Sequence, residues 1–439
     1  MARGKKAAAT LTPEEKLQQA LVPVEEQSYE IPENWCWTYI GKIISVSSGK
    51  GLTAKKMNSE GTIPVYGGNG ITGYHDASTV DGTTIVIGRV GAYCGCVHYI
   101  EGEAWVTDNA LLVDFDSTKF SYRYLYWLLT NTDLRKNDSS SAQPVISGSK
   151  IYDLTIPVAP FAEQQRIVDR IESIYAKLDE AKEKAQAVVD GFELRKSAIL
   201  HKAFTGELTA QWRQEHGIER DSWEVVTLSD VCKVNPKKLD TKELPDNLEV
   251  SFFPMPALSE IYGEITDPQT RPLKEVRSGF TNFSEGDVVF AKITPCMENG
   301  KSAVIGKLVN DIGFGTTEFY VFRCGNKLYN RYLYHLVRDQ HFRDEAKAVM
   351  TGAVGQQRVP KSFLEDYPLN LPSVPEQEVI ANMLDDMFSK EMKVKDTAEA
   401  VIDQIDTMKK AVLARAFRGE LGTNDPAEES AMELLKSVL

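Results

Sequence analysis

Residues Glu163 to Leu208 read EQQRIVDRIESIYAKLDEAKEKAQAVVDGFELRKSAILHKAFTGEL, and residues Glu376 to Leu421 read EQEVIANMLDDMFSKEMKVKDTAEAVIDQIDTMKKAVLARAFRGEL. The two align without a gap at an offset of 213, and 17 of 46 positions are identical. Each opens on Glu-Gln (Glu163/Gln164, Glu376/Gln377) and closes on Phe-x-Gly-Glu-Leu (Phe204 to Leu208, Phe417 to Leu421). An internal repeat of this length constrains the architecture before any local reading is made.

Both copies predict long helices. In the first, Ile167, Ile171, Ile174, Leu178, Ala181, Ala185, Val188, Phe192 and Ile199 recur in steps of four and three, a coiled-coil seam interrupted only at Arg195. In the second the seam is Ile380, Leu384, Met387, Val394, Ala398, Val401, Ile405, Met408 and Val412, interrupted at Glu391. Gly206 and Gly419 suit helix termination, where positive φ is often required. About 40 residues at ~1.5 Å each make a rod of roughly 60 Å. One narrow apolar stripe needs a partner, and the other copy is the obvious one. On the helices alone, a coiled-coil dimer spacer fits equally well.

The 439 residues allow two or three domains, and 42% apolar with 26% charged residues is an ordinary globular composition. The N-terminus, MARGKKAAATLTPEEK, lacks the apolar stretch of a secretory signal. No apolar run approaches the ~18 residues of a membrane span. The six cysteines (Cys36, Cys94, Cys96, Cys232, Cys296, Cys324) are scattered, and Cys94-Gly-Cys96 has no second pair at zinc spacing. They read as reduced thiols without a metal. The net charge of −13 is concentrated: residues 373–439 carry 14 acids and 8 bases, whereas residues 220–372 carry 21 and 19. Local basic clusters therefore remain compatible with nucleic acid despite the overall sign.

Residues Leu11 to Leu21 predict a short helix opened by Thr12-Pro13-Glu14-Glu15, with proline at the first helical position. Tyr29 to Asn34 reads as an extended lead-in. From Trp35 the pattern turns to short strands and glycine turns: Ile63–Tyr66, Thr83–Ile87, Cys96–Ile100 and Leu111–Phe115. A helix follows at Ser121–Leu134, then a loop at Ser139–Ser149 and a strand at Leu154–Val158. Residues Trp223 to Leu371 repeat this plan. Arg123-Tyr124-Leu125-Tyr126 recurs as Arg331-Tyr332-Leu333-Tyr334. Gly82–Arg89 (GTTIVIGR) matches Gly286–Lys292 (GDVVFAK), a turn and a buried strand ending on a basic residue. Gln143 precedes Gln356 by the same 213 residues as the helices. The fold class is thus α+β: two related globular parts joined by two long helices, for which an antiparallel coiled coil and a pseudo-twofold are natural.

Apparent catalytic motifs fail inspection. Gly68-Asn69-Gly70-Ile71-Thr72-Gly73 has dinucleotide spacing but no helix after it, so it reads as a glycine-rich surface turn. Asn299-Gly300-Lys301-Ser302 resembles the end of a phosphate loop, yet Pro295 stands where its first glycine belongs. Glu345-Ala346-Lys347 has nuclease-like spacing inside a helical run. The six histidines include no pair at metal-ligand spacing on one helix face. No catalytic residue and no bound cofactor or metal is expected in this chain.

The loops suit nucleic acid better. Lys50, Lys55 and Lys56 lie among hydroxyls and glycines fit for phosphates, and Tyr66–Gly70 places Asn69 on a tight turn. Arg89 and Lys292 end the matched strands. The second part adds Lys233, Asn235, Lys237 and Lys238, then Asn299 and Lys301, then Gln356, Gln357 and Arg358. Asn, Gln and Arg read purines bidentately in the major groove. Each of these side chains also reads as ordinary solvated surface. Tyr124, Tyr126, Tyr332 and Tyr334 fall at helix-face spacing and read as core.

Taken in order, these features resemble the specificity subunit of Type I restriction-modification enzymes from about residue 11 to 422. The resemblance is carried by the Pro157–Gln164 and Pro372–Gln377 entries and the paired F-x-G-E-L exits. The Asn34-Trp35-Cys36-Trp37 start and the IPVYGGNGITGY loop add to it. In the second half Val225 replaces the second tryptophan and Pro368 interrupts the last strand. The resemblance implies a non-catalytic, cytoplasmic DNA reader. Its parts would be an N-terminal helical segment (1–28), a target recognition domain (29–158) and a spacer helix (159–213). A second recognition domain (214–372), a second spacer helix (373–422) and a tail (423–439) would follow. The DNA-contacting set would be Lys50, Lys55, Lys56, Asn69, Arg89, Gln143, Lys233, Asn235, Lys237, Lys292, Asn299, Lys301, Gln356, Gln357 and Arg358. The implied partners are double-stranded DNA, two methyltransferase subunits carrying S-adenosylmethionine, and restriction (motor) subunits using ATP and Mg, with no membrane. The amphipathic ends, Leu11–Leu21 and Pro426–Leu439, suggest docking to a partner subunit. The alternatives from other classes are a coiled-coil scaffold for proteins only and a lectin-like glycan or phage-surface protein.

Overall fold

The two copies form helices of unequal continuity. In the computed structural model, which describes residues 12–91, 93–136, 145–261, 263–353 and 355–439, the second copy is a single helix, Val374–Ala416. The first is broken once, into Phe161–Asp190 and Phe192–Phe204. The break falls at Gly191, where the second copy has Gln404, and glycine costs a helix interior ~1 kcal/mol relative to alanine. Arg195 bridges the break. Its Nη2 donates to the Val188 carbonyl at 3.0 Å and its Nε to Glu391 Oε2 at 2.7 Å. The two polar interruptions of the predicted seams are therefore each other's partner.

The buried stripe also departs from the predicted seam. Val394, Val401 and Met408 are exposed, and burial on the second helix follows Ile380, Leu384, Ala398, Ile405, Leu413 and Ala416. Ala181 of the first helix is exposed as well. Ile380, Leu384, Ala398 and Ile405 keep the predicted seam; at Leu413 and Ala416 the buried face has moved off it, as a helix of 3.6 residues per turn drifts off a strict 3.5-residue seam.

The chain divides into two compact units, one of residues up to Ala185 with Ala400–Leu439, the other Gln186–Glu399. Each unit thus contains the beginning of one copy and the end of the other. In the first, the helices run antiparallel: Tyr175 Oη donates to the Lys409 carbonyl at 2.8 Å, and Lys182 pairs with Asp406 at 2.7 Å. In the second, Phe192 lies under the Lys395 ammonium and Arg195 meets Glu391, again antiparallel.

The first unit has a four-stranded antiparallel sheet in the order Ile44–Ser48, Ala110–Phe115, Thr84–Gly88, Val97–Ile100. A smaller sheet orders Gly70–His75, Ile63–Gly67 and Trp105–Val106. Cys36–Tyr39 pairs with Thr155–Val158. The apolar run Thr84–Gly88 serves two cores, because successive strand residues face opposite ways. Ile85 and Ile87 join the large cluster with Tyr124, Leu125 and Leu128, while Val86 packs with Ile100, Ala104 and Val106. The second unit repeats this. Val288–Ala291 lies between Phe319–Cys324 and Ser302–Val304, with Val288 and Phe290 facing one cluster and Val289 another. A second four-stranded sheet orders Gln269–Pro272, Glu249–Phe253, Gly313–Gly315 and Thr281–Phe283. Pro368 begins the strand Pro368–Leu371, paired with Glu224–Thr227, and does not interrupt it. A strand's first position tolerates proline's missing N–H.

The repeated Glu-Gln and Phe-x-Gly-Glu-Leu signatures meet within each unit. Glu163, fully buried, accepts from Trp35 Nε1 at 2.7 Å, Thr423 Oγ1 at 2.8 Å and Asn424 Nδ2 at 2.9 Å. Glu376 accepts from Trp223 Nε1 at 3.1 Å, Thr209 Oγ1 at 2.7 Å and Arg213 Nη1 at 2.6 Å. Phe417 packs edge-on against Tyr124 and Phe204 against Tyr332, so both tyrosines are core, as their spacing predicts. Tyr334 is buried too, whereas Tyr126 is only partly so.

The chain ends find partners within the chain. Pro13–Ala20 is capped by Thr12 and Glu15, and it packs on the C-terminal helix Ala431–Val438 through Glu14–Lys436 at 2.8 Å and Lys16–Leu439 carbonyl at 2.8 Å. Leu17, Ala20, Ala431 and Leu435 join the first unit's core. Their buried residues thus face each other and the first unit's core; Leu11 itself lies outside the described residues.

Candidate nucleic-acid interface

The two matched strands end in the same backbone bracket. At the end of Thr84–Gly88, the Arg89 amide donates to the Asn109 carbonyl at 2.9 Å and the Arg89 carbonyl accepts from Ile146 N at 2.8 Å. At the end of Val288–Ala291, the Lys292 amide donates to the Glu318 carbonyl at 2.9 Å and its carbonyl accepts from Val359 N at 3.0 Å. Bridges Val90–Val145 and Ile293–Arg358 complete the correspondence. Arg89 thus matches Lys292, Asn109 matches Glu318, and Val145 matches Arg358. The last pair keeps the 213-residue offset; Gln143 itself lies outside the described residues.

In the first unit, glycines press loops onto this strand end. A Cβ on Gly88 would fall 2.1 Å from the Gly68 carbonyl, and one on Gly68 would fall 2.7 Å from the Val90 carbonyl. The hairpin turn bearing exposed Asn69 therefore lies against the strand end bearing Arg89. The glycine-rich motif is this hairpin, Ile63–Gly67 to Gly70–His75, with Gly70 at φ 82°. Arg89 Nη1 reaches Ser48 Oγ at 3.3 Å and the Asp108 carbonyl at 3.5 Å; its Nε is buried without a partner. Arg89 makes no ion pair among the described residues. Lys50 is exposed, its backbone fixed by Val106 and by Trp105 Nε1. Lys55 and Lys56 project from a separate exposed turn, Ala54–Lys56.

In the second unit the predicted residues divide into groups. Lys292, Gln356, Gln357 and Arg358 come together: the Thr294 amide donates to the Gln357 carbonyl at 3.0 Å, and Gln357 N donates to Thr294 Oγ1 at 3.2 Å. Arg358 is held bidentately by Glu318, Nε to Oε2 at 2.9 Å and Nη2 to Oε1 at 2.8 Å. That bonded guanidinium holds the Glu318 carboxyl below the usual carboxylate range. Burial pushes the Lys292 ammonium pKa down, beside the Tyr320 ring. Asn299 and Lys301 converge instead on Glu260, at 3.1 and 3.6 Å. Asn235 sits at φ 54° and its Oδ1 accepts from Val321 N at 3.1 Å, so its side chain completes a turn. Lys233 and Lys237 are exposed, and Lys238 is tied to the Phe280 carbonyl at 2.8 Å.

Glu318 and Glu260 were not singled out by the sequence. Neither carries a local signal, because their basic partners, Arg358 and Lys301, lie 40 and about 40 residues away and meet them only in the folded chain. Among the described residues no group of three His, Cys, Asp or Glu could hold a metal, and no helix is long and apolar enough to cross a membrane.

The Type I restriction modification DNA specificity domain matches the chain twice, over residues 32–189 and 220–403. The EcoEI specificity subunit of Escherichia coli is 31% identical over 260 residues, 50% of this chain and 43% of that one. The chain thus aligns with less than half the length of this relative. The EcoDI specificity subunit of Escherichia coli is 20% identical over 422 residues, 91% of each chain. Among solved structures, the HsdS subunit of Thermoanaerobacter tengcongensis superposes with a TM-score of 0.57 at 16% identity, over 90% of this chain and all of that one. A chain from a structure of type I R-M complex assembly gives 0.64 at 16% identity, over 89% and 100%. These two likenesses concern the fold.

Proposed function

The chain belongs to the Type I restriction modification DNA specificity domain family, and on that premise we propose that it is a non-catalytic reader of a bipartite, asymmetric DNA target. Residues 29–158 and 214–372 each read one block, and the helical segments 159–213 and 373–422 set the gap and dock two methyltransferase subunits. S-adenosylmethionine belongs to those subunits, ATP and Mg to the restriction subunits, and the complex works in the cytoplasm.

The observation that supports this best is the strand-end bracket built twice, each time presenting a basic residue, Arg89 or Lys292, beside loops of lysine and amide side chains. Phosphate contacts from Lys50, Lys55, Lys56, Lys233, Lys237, Lys292 and Lys301 position the duplex. Asn69, Arg89, Gln143, Gln356, Gln357 and Arg358 are the candidates for base edges. Asn235, Asn299 and Lys301 need to release their present bonds to take part. The helix Val374–Ala416 has 43 residues, about 65 Å at ~1.5 Å per residue, comparable to ~19 base pairs at ~3.4 Å each.

The test is modified-base sequencing of DNA from cells with and without this gene, its methyltransferase partner being present. A gene-dependent methyladenine motif of two short blocks around an unspecified gap is expected. No such motif, with an active partner, would replace the DNA reader by a protein scaffold.

A further inference from the structure

We infer that Arg358 reads a guanine in the block contacted by the second unit, and that Glu318 is the positioning residue that aims it. The inference rests on the DNA-reading role proposed above and adds a base and an orienting partner to it.

A guanidinium has five N–H donors in a fixed plane. In Arg358 three are engaged: Nε and one Nη2 hydrogen with Glu318, and one Nη1 hydrogen with the Gln356 carbonyl at 3.1 Å. With the Nε edge taken by the carboxylate and one Nη1 hydrogen given to the Gln356 carbonyl, one hydrogen on each Nη remains. These two form the outer fork, which matches guanine O6 and N7 in the major groove. The base of the side chain is equally fixed. Arg358 exchanges both backbone bonds with Thr351, at 2.8 and 3.0 Å. Glu318 is anchored through its amide to Thr316 Oγ1 at 3.2 Å and through its carbonyl to Lys292 N. Fixing a long side chain in advance lowers the entropy lost on binding. Of the Arg358 side chain 43% is exposed.

A structural role for the pair is disfavoured by the first unit. There the same bracket forms with Asn109 and Val145 at the matching positions, which cannot make such a pair. An ion pair this exposed also adds little to stability.

The experiment uses the assembled complex with its methyltransferase subunits. After the wild-type motif is mapped, binding is measured to duplexes in which each guanine of the target is replaced in turn by 7-deazaguanine, which lacks the N7 acceptor. One position is expected to cost the wild type about 10-fold or more in affinity. Arg358→Gln should relax that base pair alone in the methylation motif, and Glu318→Gln should relax the same pair to a smaller degree. The unaffected block reports that the variants are folded. A motif that survives Arg358→Gln unchanged overturns the assignment. So does a variant inactive on both blocks together with a wild-type scan showing no sensitive guanine. Relaxation by Arg358→Gln but none by Glu318→Gln removes Glu318 from its role. A wild-type complex that yields no two-block motif defeats the DNA-reading proposal itself, and this inference with it.

Discussion

Glu163 and Glu376 show how one side chain can close a unit. Each is a buried carboxylate at the start of a long helix, and each accepts from an indole and from a threonine that follows the opposite copy's exit signature. Around Glu376 the cation is Arg213, with 7% of its side chain exposed. Removing one member of such a pair strands the other charge away from water. Glu376→Ala is therefore expected to destabilise the second unit by ~3–5 kcal/mol, read from urea unfolding followed by Trp223 fluorescence. A loss under ~1 kcal/mol would mean that the pair is solvated. Both glutamates were visible in the sequence as repeated Glu-Gln steps, but their donors were not. Periodicity reports which face of an element is buried, and says nothing of a threonine 167 residues away.

At the scale of elements, helix type and approximate extent were legible, whereas continuity and seam were not. The sequence predicts one helix through Gly191, because the apolar spacing continues across it; the break falls at that glycine, and an arginine bridges it by reaching both the Val188 carbonyl and the other helix. Arg195 and Glu391 look like two defects when each helix is read alone and like one contact when they are paired. Replacing either singly by leucine should cost ~1 kcal/mol or less, since the pair is partly solvated. The double variant R195L/E391L should be at least as stable as the wild type, because an apolar pair then replaces the ionic one. A double-mutant cycle by thermal unfolding measures this, and additive losses would show that the two side chains do not couple. The strands named from the sequence lie within a residue or so of their observed positions, whereas Ile44–Ser48, Gly70–His75 and Glu249–Phe253 carry no alternation strong enough to announce them. Pro368 reads as an interruption in the sequence because a proline's tolerance depends on whether it starts a strand, and that depends on its pairing with Thr227.

For the whole chain, each unit is completed by residues remote in sequence. The first unit's core includes Leu413, Phe417, Ala431 and Leu435. Deleting Thr423–Leu439 takes two of Glu163's donors, Arg166's bidentate partner Glu428, and the cover over Ala20. Hydrogen exchange is expected to accelerate at least tenfold across Trp35–Tyr39 and residues 163–171, with residues 224–371 unchanged; uniform acceleration would contradict this division of the chain. The repeat, the α+β class, the long helices, the strand-ending basic residues and the family are all legible before folding, because each is written in local pattern or in spacing at a constant offset. Which polar groups already have partners emerges from the folded chain: Asn235 completes a turn, the two chain ends cover each other, and Arg358 is held by Glu318. Those facts depend on hydrogen-bond register between segments far apart in the chain, and that register exists only once the strands have paired.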